Sequence, residues 1–235
     1  GMISGEVYHP VFRALSKEQD NLDKSRYLYF RALSLVVLYS LPFYIGLWWL
    51  ADPFILVVYG AKWQASAQPL GILALGGLFF AIENQSGAVA AAQNKLGIEL
   101  RIQLVSWALM ALAVYSGLHF GLPGVAWGLL CVYAFNAAAM AWLAQRSLKA
   151  RWVMLLNALK PALILNTLMF ASLLLLDYFI HALRLNKPLV YLLSMAATGS
   201  VLYILLFLFM PLSGLQAEQE TWKRKIGLMP QLLPK

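Results

Sequence analysis

The chain has 235 residues, 61% of them hydrophobic and 12% charged, with a formal net charge of +8. So little polar material cannot clothe a soluble domain of this size, and lipid is the natural solvent for the excess. The basic residues form no groove-sized cluster interleaved with stacking aromatics, which argues against nucleic acid as a partner, and the single cysteine, Cys131, excludes an intramolecular disulfide.

Six apolar stretches, 34–51, 69–92, 102–120, 123–144, 161–180 and 189–211, are separated by short polar connections. Each is long enough for a helix that crosses a hydrocarbon core of about 30 Å, which takes roughly 20 residues. The chain opens without the short apolar core and small-residue cleavage site of a secretory signal. Its first residues, Gly1-Met2-Ile3-Ser4-Gly5, read as the end of a preceding helix or as an appended scar. From 12 to 31, Leu15, Leu22 and Tyr29, followed by Leu33, fall on one helical stripe, which predicts an interfacial or connecting helix leading into the first span.

Pro42 removes one backbone hydrogen bond within the first span and predicts a kink. Trp48 and Trp49 approach the outer interface, Asp52-Pro53 is placed to stop the helix, and Tyr59-Gly60 followed by Trp63 predicts a turn held at headgroup level by aromatic anchors. The run from Phe54 to Tyr59 is apolar but too short to cross again. A Gly-Leu-Pro-Gly turn at 121–124 opens the fourth span, where Gly124 and Gly128 are spaced for close helix packing, as are the alanines at 137–139 and 88–92.

Charge sets the orientation. Arg13, Lys17, Lys24, Arg26 and Arg31 precede the first span, and Lys95 and Arg101 follow the second. Arg146, Lys149, Arg151 and Lys160 follow the fourth, and Lys223, Arg224, Lys225 and Lys235 follow the sixth, so only Lys62, Arg184 and Lys187 are left for the alternate connections. Basic residues near span ends are retained in the cytoplasm, which predicts cytoplasmic termini. The expected division is a cytoplasmic lead-in over 1–33, an all-α, six-span transmembrane bundle over 34–212 and a basic tail over 213–235, whose Trp222-Lys223-Arg224-Lys225 cluster suits anionic headgroups.

Within the spans, Glu83 is the one ionisable residue read as deep, at the head of the run Glu83-Asn84-Gln85-Ser86. A carboxylate at such depth costs a few kcal/mol on insertion scales and by default faces a bundle interior or wet cavity. The spacing puts Ser86 on the same face as Glu83. Either Glu83 binds a substrate or an ion, or it is a protonated hydrogen-bonding group between helices. Asn136 and Asn166 read as interhelical hydrogen-bonding groups. Asp177 and His181, four apart, suit acid–base or metal chemistry but lack a third ligand or a nucleophile. With isolated His9 and His119, no cysteine pair and no phosphate-cradling glycine loop, the chain carries no catalytic, metal or cofactor signature.

Three segments together resemble the oligosaccharide and O-antigen exporter branch of the multidrug/oligosaccharidyl-lipid/polysaccharide superfamily. His9-Pro10-Val11-Phe12-Arg13-Ala14-Leu15-Ser16-Lys17-Glu18-Gln19-Asp20 is similar to its cytoplasmic segment, and Gly124-Val125-Ala126-Trp127-Gly128 to one of its helix starts. The most specific is Asp52-Pro53-Phe54-Ile55-Leu56-Val57-Val58-Tyr59-Gly60-Ala61-Lys62-Trp63. The resemblance implies the C-terminal lobe plus two extra helices of a fourteen-helix flippase in the bacterial inner membrane. The family's activity would be ion-coupled alternating access that flips undecaprenyl-pyrophosphate-linked oligosaccharide for lipopolysaccharide, O-antigen or exopolysaccharide synthesis. It further implies an N-terminal lobe as partner, with a polysaccharide polymerase and glycosyltransferases nearby. Alone, the chain would be a fragment or a truncated product and would not transport, since rocking needs a second lobe.

On that resemblance Glu83 suits proton or sodium coupling. Arg101 and Lys160, at the cytoplasmic starts of the third and fifth spans, are the cations nearest a pyrophosphate, whose main contacts would lie in the other half. Gln93-Asn94-Lys95 stands where the family often has a Leu-Gly-basic turn. The candidate binding residues are therefore Glu83, Ser86, Asn136, Arg101 and Lys160. Competing readings are a cation-coupled multidrug exporter, a non-transporting membrane scaffold that pairs through small-residue faces, and, more distantly, an embedded enzyme using Asp177 and His181.

Overall fold

A computed structural model describes residues 2–18, 20–182, 187–210 and 214–226. Among these the chain is helical throughout, with no strand: α1 Met2–Lys17, α2 Leu22–Trp49, α3 Ala51–Val58, α4 Ala67–Ala74, α5 Gly77–Ala92, α6 Leu96–Gly117, α7 Gly121–Ser147, α8 Trp152–Ala182, α9 Pro188–Phe209 and α10 Gln216–Lys225. The all-α, polytopic architecture expected from hydropathy is the one observed. The chain divides into two compact units, Gly1–Leu159 and Lys160–Lys235.

The helix expected over 12–31 is divided in two. α1 ends at Lys17, and α2 restarts at Leu22 behind an Asn21 cap whose side chain accepts the Lys24 backbone N–H at 3.1 Å. Ser25 Oγ donates to the Glu18 carbonyl at 2.9 Å and Lys24 Nζ to Glu18 Oε1 at 2.6 Å, so local side-chain bonds replace the helical ladder across the turn. Leu15, Tyr29 and Leu33 are buried against neighbouring helices rather than laid on an interface. α2 then runs through Pro42 to Trp49 as one helix. Tyr59 closes α3, and Gly60 at φ 86°, a region that favours glycine, turns the chain into the 3-10 segment Ala61–Ser66.

The second span is broken, which the hydropathy plot does not reveal. Residues Ala61–Ala74 and Gly77–Ala92 meet at 47°. At the break the Leu75 and Gly76 N–H groups bond to Ile72 and Leu73, i to i−3, and the adjacent Gly76 and Gly77 lower the cost of bending. A Cβ on Gly77 would lie 2.0 Å from Tyr44 Cδ2, so the aromatic ring of α2 rests directly on this backbone.

α5 is the centre of the first unit, packed by α1, α2 and α7, with Ala88, Val89 and Ala90 almost completely buried. Residues Leu96–Ser147 form one apolar stretch of 52 residues, which as a straight helix would measure about 78 Å, well over twice a bilayer core. It turns back on itself at the 3-10 segment Leu118–Phe120 and Gly121, φ 72°. Gly117 faces Val125, Ala113 faces Gly128, and Ser106 bonds to Asn136, a register in which one helix ascends as the other descends. The small residues at 124 and 128 let the two backbones touch, the packing role expected from their spacing.

α6 buries only Ser106 and Gly117. Its outer face exposes Leu100, Leu104, Val105, Trp107, Leu112 and Tyr115. A helix that hides its serine and shows its leucines is built for an apolar surrounding. By length and hydropathy four helices of the described residues can span a membrane, or five if the bent pair is one crossing. In the second unit Gly199 fits against Leu173, where a Cβ would approach to 3.2 Å, and Met195 is buried on the same helix.

Candidate functional site

The polar run of α5 occupies successive positions about 100° apart around the helix, so its members meet different neighbours. Ser86 is fully buried and shares a hydrogen bond with the Tyr29 hydroxyl of α2 at 3.0 Å. Glu83 turns to α6, where its Oε1 accepts Gln103 Nε2 at 3.3 Å. The expected shared face of Glu83 and Ser86 is therefore corrected: the 60° between positions three apart is enough to direct them to separate helices. Gln85 is completely buried, and neither of its amide atoms has a hydrogen-bond partner among the described residues.

Glu99 joins Glu83 in the same seam. Gly87, one turn beyond Glu83, leaves room for it: a Cβ there would lie 3.3 Å from Glu99 Oε1. Glu99 and Gln103 are likewise one turn apart on α6, so the two antiparallel helices interleave the two carboxylates, an amide and a glycine along one line. Glu99 Oε2 is shielded from solvent and has no hydrogen-bond partner among the described residues. Hydropathy sets the start of this helix at 102 and leaves Glu99 in a loop, whereas α6 begins at Leu96 and carries Glu99 in its first turn. The four-residue spacing of Glu99 and Gln103 is the signal that could have revealed it. The seam can hold a proton or a small cation between carboxylates; no group of three or more metal-ligating side chains occurs among the described residues.

The other expected site residues lie apart from this seam. Asn136 is buried and accepts Ser106 Oγ at 3.0 Å, which ties α7 to α6. Asn166 does not bridge helices as expected: its Nδ2 donates back to Ala162 O at 2.8 Å within α8, and its buried Oδ1 has no partner among the described residues. Arg101, two residues from both Glu99 and Gln103, points away from the seam and is exposed, as is Lys160. Asp177 accepts the Tyr191 hydroxyl at 2.6 Å, a tie between α8 and α9; the side chains of His9 and His181 lie outside what is described.

Arg26 and Gln219 close helix ends, a role that neither residue's place in the sequence announces. Arg26, counted above as a topology charge, reaches from α2 to the end of α7. Its Nε donates to Leu148 O at 2.7 Å and a terminal nitrogen to Lys149 O at 3.2 Å, while the other terminal nitrogen pairs with Asp23 at 2.8 Å. Lys149 sits at φ 49° in that turn, and Asn94 at φ 54° fills the place where glycine was expected in the turn after α5. In the second unit Gln219, buried on α10, donates to both Phe207 O and Met210 O at 2.7 Å, satisfying carbonyls that the end of α9 leaves open.

Residues 2–68, from α1 to the start of α4, match a family described as "Polysaccharide biosynthesis protein". An uncharacterized membrane protein in the cps region of Klebsiella pneumoniae is 29% identical over 136 residues, 57% of this chain and 28% of that protein. The lipopolysaccharide biosynthesis protein WzxC of Escherichia coli is 29% identical over 127 residues, 54% and 26%. The teichuronic acid biosynthesis protein TuaB of Bacillus subtilis is 28% identical over 138 residues, 58% and 28%. Over a little more than half its length the chain is similar to proteins of bacterial polysaccharide biosynthesis.

The matched segments span about a quarter of each curated relative's length. In fold, the chain is similar to the lipid II flippase MurJ in an inward closed conformation, with a TM-score of 0.60 at 16% identity, covering 96% of this chain and 44% of that one. The three motifs that carry the family resemblance fall at turns and packing faces of this chain. The first is the end of α1 and its bonded turn, the second is α3 with the Gly60 turn, and the third is the α7 face that meets α6. This is a multi-pass membrane protein of helical hairpins and bundles.

Proposed function

We propose that the chain forms the C-terminal half of an exporter that flips undecaprenyl-pyrophosphate-linked oligosaccharide across the bacterial inner membrane by ion-coupled alternating access. The observation that carries this reading is the sequence relationship to polysaccharide biosynthesis proteins on both sides of the Gly60 turn; the flippase-like fold supports it. On this reading the protein is a transporter rather than an enzyme. Its partners are membrane lipid, the lipid-linked oligosaccharide, an N-terminal lobe, a polymerase and glycosyltransferases.

The chain crosses the membrane six times, as α2, the bent pair α4–α5, α6, α7, α8 and α9, with both termini cytoplasmic. Residues 1–33 lead in, 34–212 lie in the membrane and 213–235 form the basic tail. The Glu83–Gln103–Glu99 seam is the coupling site, taking a proton or sodium as the lobes exchange access. Arg101 and Lys160 face the cytoplasmic headgroup layer, while Ser86 and Asn136 hold the helices around the seam. The seam also favours a second reading, a cation-coupled multidrug exporter, which needs the same carboxylates but no glycan.

The test uses the native protein in vesicles with a pH gradient and a lipid-linked oligosaccharide. Glu83→Gln is expected to abolish gradient-driven translocation while expression is retained, and unchanged flipping refutes the coupling role. Failure of the unsubstituted protein to flip that lipid, together with export of hydrophobic cations, selects the second reading.

A further inference from the structure

Between α3, the 3-10 segment and α4 lies a cavity of about 330 Å³ lined by Phe54, Ile55, Tyr59, Trp63, Ser66 and Leu70. Its wall is mainly apolar. Ile55 is buried beneath it, whereas Tyr59 and Trp63 are more than half exposed at its edge. Aromatic rings so placed stand where hydrocarbon meets headgroups. The volume falls at the lower end of ligand-sized pockets and is too large and too apolar to be a water site.

Two charges, one of each sign, flank the lining residues in sequence. Asp52 opens α3 just before Phe54, and Lys62 precedes Trp63; both are exposed. Gln64 Nε2 donates to Asp52 Oδ1 at 3.0 Å, which ties the 3-10 segment to the start of α3. Lys62 makes no ion pair among the described residues. A pair of charges that sums to zero has no net attraction for an anionic lipid. It offers an ammonium to a phosphate and a carboxylate to a primary ammonium, the two charges that one zwitterionic headgroup carries.

We propose that this pocket binds a zwitterionic phospholipid with a primary ammonium, phosphatidylethanolamine, with one acyl chain in the cavity, its phosphate on Lys62 and its ammonium on Asp52. The inference rests on the membrane topology proposed above but on neither the transported substrate nor the coupling ion. Its consequence is an anchored outer end for the broken span, since the bound chain would fill the space beside α4 on the outer side of the 47° bend.

The test is photo-crosslinking of the native protein in vesicles doped with phosphatidylethanolamine carrying a diazirine in one acyl chain, followed by peptide mapping. Labelling is expected within 51–70, competed by unlabelled phosphatidylethanolamine and much less by phosphatidylglycerol. Asp52→Asn and Lys62→Gln are each expected to reduce it about fivefold, the weight of one headgroup charge contact. Leu70→Trp, which fills the cavity from a partly exposed position, is expected to reduce it at least as much. Equal labelling by both lipids, label that all three variants leave unchanged, or label only outside 51–70 overturns the proposal. Flipping measured in the same vesicles separates the two readings: transport without this label sinks the pocket alone, and label without transport sinks the exporter.

Discussion

Gly117→Ala tests the hairpin on which the count of crossings depends. Gly117 has φ −66° and ψ −28°, an ordinary helical conformation, so alanine meets no backbone strain there. Contact alone decides the outcome. The added Cβ would lie 2.6 Å from Val125 Cα, 2.7 Å from Val125 N and 2.9 Å from Gly124 C, all backbone atoms that no rotamer change can withdraw. The first turn of α7 would have to retreat by about 0.8 Å to restore ordinary contact, and overpacking of this kind costs roughly 1–3 kcal/mol. Because backbone is struck rather than a side chain, the upper part of that range is expected, about 2–3 kcal/mol, or a fall of roughly 4–12 °C in melting temperature. Gly97→Ala on the same helix is the control: nothing lies within 4 Å of its Cβ, and a gain of roughly 0.4–1 kcal/mol is expected from the stiffer unfolded chain. Gly128→Ala, with Ala113 Cβ and O at 3.1 Å, should fall between them. Thermal unfolding of the native protein and its variants in detergent, followed by size-exclusion chromatography, gives the ranking. If Gly117→Ala matches Gly97→Ala, α6 and α7 do not run back along each other and the reasoning fails.

Arg26→Ala leaves the Leu148 and Lys149 carbonyls without their charged donor and is expected to cost about 1.5–3 kcal/mol; Arg26→Lys should recover only part, because an ammonium lacks the planar fork, and the same melting assay would show an error if both variants behaved alike. Gln219→Leu removes both bonds to the end of α9, so faster hydrogen exchange and easier tryptic cleavage are expected over Gln216–Lys225, and protection equal to the unsubstituted protein would contradict the capping role. Cys131 is exposed near the middle of α7, so a membrane-permeant maleimide should label it and an impermeant one should not reach it from either side. Introduced cysteines at Asn94 and Lys62 should react with the impermeant reagent from the cytoplasm and the periplasm respectively, and reversal of the two would overturn the proposed orientation.

Hydropathy and charge made the helical class and the approximate spans legible, because a stretch of apolar residues long enough for a bilayer has few other uses. What they left hidden were events at helix ends. The Gly76–Gly77 bend lies inside a continuous apolar run, and nothing in that run announces that the Tyr44 ring needs a bare backbone. Glu99 was missed because hydropathy marks where a helix becomes apolar, whereas the helix itself begins at Leu96, a turn and a half earlier. Arg26 finds its acceptors more than a hundred residues away, and Gln219 is one of several glutamines in a polar tail. Capping depends on which carbonyls tertiary structure leaves open, and a single sequence does not contain that information.

The arrangement around α5 constrains how the proposed rocking could occur. The hydrogen bond from Ser86 binds α5 to α2, and that from Glu83 binds it to α6, while Arg26 joins α2 to the end of α7. Small residues along α5 bring its neighbours close enough for these bonds to form, and each broken buried polar contact would leave an uncompensated group in a dry interior. Sliding α5 past its neighbours would break the Ser86 and Glu83 bonds together, whereas moving α2, α5, α6 and α7 as one body breaks none of them. On the proposed reading, alternating access would move these four helices as a rigid bundle, and the carboxylate seam inside it would change its exposure without changing its own partners.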